Sequence, residues 1–157
     1  MKREFEPEEI INIRKDPKIQ NWNHISINRK LSEEFIEEFQ NYVIWFYISK
    51  NQKLSENFIR KFQDRIDWNY LCKYQEISED FIRKFKHKVN WYDVSMKILS
   101  ENFIREFQDK LYWYNICLYS NLSKEFIVEF IDKMDFERLV VNPNMSEEIK
   151  DYCRMFV

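Results

Sequence analysis

Histidine and cysteine, the residues most often used in acid–base, nucleophilic and zinc chemistry, are few and scattered. Histidine occurs twice, at His24 and His87, and cysteine three times, at Cys72, Cys117 and Cys153. A zinc site or a hydrolytic centre would need spacings such as CxxC, HExxH or a nucleophile elbow, and none of these occurs. The carboxylate pairs Glu33 and Glu34, and Glu147 and Glu148, each follow a serine at the head of an apolar-periodic segment. There the helix dipole accounts for them without acid–base work. Glycine is absent, which removes the usual means of building a phosphate-cradling loop. The expectation is a chain that is not an enzyme and takes no metal and no cofactor.

Two other sets of side chains are suited to recognition. One is aromatic: Phe46, Tyr47, Tyr70, Tyr92 and Tyr114 lie one or two residues after a tryptophan, off the apolar stripe of their segment. Tyr and Trp, with Arg, are enriched at protein interfaces, so these rings form a candidate protein-binding ladder. Packing of the same rings on a neighbouring layer is the equal alternative. The other set is basic: Arg60, Lys61 and Arg65, then Arg83, Lys84 and Lys88, then Arg105 and Lys110. Stacked in register they would form a stripe able to track a single-stranded nucleic acid. Asp64 and Asp109 stand four residues after Arg60 and Arg105, however, and helical ion pairs of that spacing favour an ordinary solvated face.

Both sets are positioned by a repeat. Trp22, Trp45, Trp68, Trp91 and Trp113 are 23, 23, 23 and 22 residues apart, and Phe136 takes the next place. Copies run over 31–53, 54–76, 77–98, 99–121 and 122–144, with a partial copy and cap in 1–30 and a half copy in 145–157. The third is one residue short just before Leu99, where a corner can absorb a deletion. Each copy opens with an apolar residue and a serine, and Ser32, Ser55, Ser78, Ser100, Ser123 and Ser146 are expected N-caps. Spacings such as Leu54, Phe58, Ile59, Phe62 and Ile66 predict an amphipathic first helix of three to four turns. A shorter second helix starts at the tryptophan, with Asn21, Asp67, Asn90 and Asp135 as its caps. The tryptophans are read as core between copies rather than as a stacking platform, and the cysteines as small buried side chains.

The fold expected is all-α: a solenoid of about six short helical hairpins with atypical capping ends, in one domain over 1–157. Net charge is −2, so no global field favours nucleic acid or an anionic membrane. The charged start and the lack of a long apolar run predict a soluble, cytoplasmic protein with no membrane association.

With the motif LSEEFI…F…V…W…IS read out, residues of about 18 to 149 resemble the tandem repeats of 22 or 23 residues in proteins of large amoeba-infecting DNA viruses. The resemblance implies a viral protein acting on host or viral proteins inside a host cell, and brings no catalytic residues with it. The functional expectation is a non-catalytic protein-binding module of unknown partner. Single-stranded nucleic-acid binding and a structural, self-assembling solenoid are the alternatives.

Overall fold

The computed structural model describes residues 2–157, which form thirteen short α-helices and two 3-10 turns. Each copy is a helical hairpin. The first helices are Glu33–Glu38, Glu56–Lys61, Glu79–Lys84, Glu101–Glu106 and Lys124–Glu129; the second are Trp45–Asn51, Trp68–Tyr74, Trp91–Val94, Trp113–Tyr119 and Phe136–Val141. Ahead of them lie Pro7–Lys15 and Trp22–Asn28, and behind them Glu147–Arg154. The chain divides into two compact units, residues 1–77 and 78–157. Within each, hairpins stack on their sequence neighbours in the manner of a helical-repeat solenoid: Trp22–Asn28, Trp45–Asn51 and Trp68–Tyr74 in the first unit, and Trp113–Tyr119, Phe136–Val141 and Glu147–Arg154 in the second.

The caps are where the sequence puts them. All six serines accept the backbone N–H three residues on, as Ser55 Oγ does from Phe58 at 3.2 Å. Asn21, Asp67, Asn90 and Asp135 cap the second helices, while Ile44 and Tyr112 leave theirs without a side-chain cap. The first helices, at six residues each, are shorter than the apolar spacing predicts. At Phe62 the backbone leaves the helix (φ −109°, ψ 25°) and enters a run of turns. Ile66 N–H still bonds Phe62 C=O at 3.1 Å, so one i to i+4 contact survives beyond the helix and prolongs the apparent periodicity.

The first-helix face supplies the core. Phe81, Phe103 and Phe126, with Ile36, Ile59, Ile82, Ile104 and Ile127, are fully buried, and each contributes roughly 1.5–3 kcal/mol by leaving water. No described residue has positive φ, which suits a chain without glycine. The second helices end instead on an extended residue, Gln52 at φ −103° and Gln75 at φ −99°. That choice leaves carbonyls at the helix end without intrahelical partners. The next copy supplies the partner. Gln52 Nε2 donates to Ser26 and Arg29 C=O at 3.1 and 2.8 Å while its Oε1 accepts from Leu31 N–H at 3.0 Å, and Gln75 repeats the pattern on Ser49, Gln52 and Leu54. Asn142 does the same for Cys117 and Ser120.

Candidate interaction surface

The tryptophans set the geometry from which everything exposed projects. Every indole N–H donates to the carbonyl five residues before it, from Trp22 to Pro17 at 2.7 Å through to Trp113 to Gln108 at 3.1 Å. Four of the rings pack on phenylalanines of the following copy: Trp22 on Phe39 (5.2 Å), Trp45 on Phe62 (5.0 Å), Trp91 on Phe107 (4.9 Å) and Trp113 on Phe130 (5.1 Å). They are wedges between copies. Only Trp22 is buried, however, and the other four are half-buried with an edge at the surface.

A second ladder fixes the register. Ser26 and Ser49 Oγ accept from Ile44 and Asp67 N–H at 3.0 and 2.9 Å, and Ser95 accepts from Tyr112 at 2.9 Å. At Cys117 the thiol takes this place and receives Asp135 N–H at 3.4 Å. The buried Ser/Cys position is therefore an acceptor site, which explains why both residues suit it. Burial pushes the Cys117 thiol up to about 11, since a thiolate would lack solvation there.

The basic stripe proves to be built into the stacking. Arg83 lies over Phe103 (5.1 Å) and bonds Glu106 at 2.7 Å; Arg105 lies over Phe126 (4.8 Å) and bonds Glu129 at 2.7 Å. The hydrogen bond from Arg105 holds the Glu129 carboxyl below the usual range, and that from Arg14 does the same for Glu38. Arg60 pairs with Glu56, and Lys61 with Glu37. Arg65 bonds Gln40 C=O and lies over Trp45, and Lys110 lies over Trp91 at 5.4 Å. Lys84 and Lys88 are exposed. The guanidinium groups of Arg60, Arg83 and Arg105 are thus engaged with neighbouring carboxylates, in pairs open to solvent.

The aromatic ladder splits into two columns. The residue one after each tryptophan points outward: Phe46 is 38% exposed, Tyr92 50% and Tyr114 50%. Two residues after the tryptophan, Tyr47 and Tyr70 are half-buried and Asn115 is buried, while His24 is exposed. The columns meet diagonally. Phe46 sits edge-on to Tyr70 (4.5 Å), Asn115 Nδ2 reaches Tyr92 C=O (3.4 Å), and Arg138 covers Tyr114 (4.8 Å). Sequence reading missed Tyr112, 52% exposed and edge-on to Tyr92 at 5.2 Å, and Tyr74, stacked on Tyr70 at 6.0 Å. Tyr112 had a signal: it stands where Asp67, Asn90 and Asp135 cap their helices.

His24 borders a cleft of about 330 Å³ with Glu9 and Arg29, but Glu9 is bonded to Arg3, Arg29 and the Glu6 amide. No cluster of His, Cys, Asp or Glu among the described residues is arranged to hold a metal ion, and no described helix is long and apolar enough to cross a membrane. No protein-family model matches the chain, and comparison with curated proteins and with solved structures finds no match.

Proposed function

We propose that this is a non-catalytic repeat module that captures a protein partner on the outward aromatic column. The observation that carries the reading is the group Tyr92, Tyr112 and Tyr114, each about half exposed and held in place by the stack beneath. Half-exposed tyrosines on a rigid frame offer large contact area at small conformational cost. The resemblance of the repeat to those of amoeba-infecting viruses supports a host or viral protein as the partner, met inside the host cell. Single-stranded nucleic acid is disfavoured by the engagement of Arg83 and Arg105 with Glu106 and Glu129.

The test is selection of binders from a displayed random-peptide library on the intact chain, followed by comparison with the double variant Tyr92→Asn, Tyr114→Asn. Asparagine already occupies this same register position at Asn23 and Asn69, so the fold tolerates it. The selected peptides should lose most of their affinity for the variant while its melting curve is unchanged. Equal binding to both proteins would refute the assignment.

A further inference from the structure

We infer that the partner segment is an acidic polypeptide and that it docks on the turn edge of copies three and four; this rests on the binding role proposed above and adds the partner's chemistry. The turn between the two helices of copy three carries Lys86 and His87. At the same two positions the other copies have Gln40 and Asn41, Gln63 and Asp64, Gln108 and Asp109, or Ile131 and Asp132. One repeat of five has thus been turned cationic against a neutral or acidic pattern. Lys86 and His87 are both exposed, and neither makes an ion pair among the described residues, in contrast to Arg83 and Arg105.

The turn is tied to the helix that carries Tyr92. Lys86 C=O accepts the Trp91 indole N–H at 3.3 Å, which fastens the cationic turn next to Trp91 and Tyr92. From copy four, Lys110 Nζ stands 5.4 Å from the Trp91 ring and Tyr112 meets Tyr92 edge-on at 5.2 Å. Copies three and four thus carry together the Tyr92–Tyr112 ring pair, Lys110 over Trp91, and the exposed turn of Lys86 and His87. Carboxylates meet the cations and phenolic O–H groups, while an apolar side chain packs on the ring edges; such charge complementarity fixes partner and register. A nucleic acid suits this surface less well. Trp91 has Phe107 at 4.9 Å and Lys110 at 5.4 Å against its ring, and Tyr92 and Tyr112 stand at 81° to one another, so bases find no pair of free parallel faces on which to stack.

The experiment is fluorescence anisotropy with the intact chain and three labelled probes: a peptide of four Glu-Glu-Leu-Phe units, its Lys-Lys-Leu-Phe counterpart, and a thymidine oligonucleotide of similar length. The variants are Lys86→Gln with His87→Asn, which installs the residues of copy one, and separately Tyr92→Asn. The acidic peptide should bind, and bind about tenfold more weakly to the charge variant, with the basic peptide weaker by at least as much. The inference is overturned if the acidic peptide fails to bind, if the basic peptide or the oligonucleotide binds as tightly, or if the charge variant binds undiminished. Undiminished binding to the charge variant with loss in Tyr92→Asn would sink only the acidic partner; no loss in either variant would remove this face as the binding site altogether.

Discussion

Replacing Gln52 by leucine is the sharpest test of what joins one copy to the next. The side chain is 3% exposed, and its amide satisfies three backbone groups where two copies meet: Ser26 C=O and Arg29 C=O of the preceding one, and Leu31 N–H at the start of its own. Leucine keeps most of the volume and leaves all three without a partner, at about 1 kcal/mol or more each. Added apolar burial offsets on the order of 1 kcal/mol, so the net loss should be about 2–3 kcal/mol. Urea unfolding followed by tryptophan fluorescence reads this as a lower midpoint. Lys53→Leu, one residue away and exposed, is the control and should stay within about 0.5 kcal/mol of the parent. A Gln52→Leu midpoint equal to that of the control would refute the claim that buried amides close the corners.

Other outcomes follow from the same geometry. Trp113→Phe imitates Phe136, keeps the stack on Phe130 and loses the bond to Gln108, so it should cost about 1 kcal/mol by urea unfolding; Trp113→Ala should cost about 3 kcal/mol. The Cys117 thiol, raised to about 11 by burial, holds its proton in the folded chain while the unfolded chain releases it above about pH 9. This part of the stability is present below pH 9 and is lost as pH rises toward 11, so Cys117→Ser should flatten the alkaline decline seen in unfolding midpoints. Arg105→Gln should leave the urea midpoint close to that of the parent, because the Glu129 pair is open to solvent.

Much of the fold can be read from single positions. Capping depends on a local hydrogen bond, so Ser32 through Ser146 and Asp67 or Asn90 announce themselves. Helix length was less legible, since Phe62 and Ile66 keep helical spacing across a backbone that has already turned. The corner amides went unread because Gln52 and Gln75 look like surface residues; only their recurrence at one register position hints that both reach back into the previous copy. At the surface, the sequence offers Tyr92 and Tyr114 through their place after a tryptophan. It hides Tyr112, whose contact with Tyr92 joins two copies, and it makes Arg83 and Arg105 look available when neighbouring carboxylates hold them. Pairings of this kind are set by the stacking distance between copies, which no single repeat contains.

The direct test of a binding edge on copies three and four is amide chemical-shift mapping of the intact, isotope-labelled chain, titrated with the tightest peptide from the display selection. The account predicts that the largest shifts fall in Lys86–Tyr92 and Lys110–Tyr114, with the amides of Phe103 and Phe126 in the buried core little changed. Shifts centred on the polar faces of the first helices, or spread evenly along the chain, would contradict it.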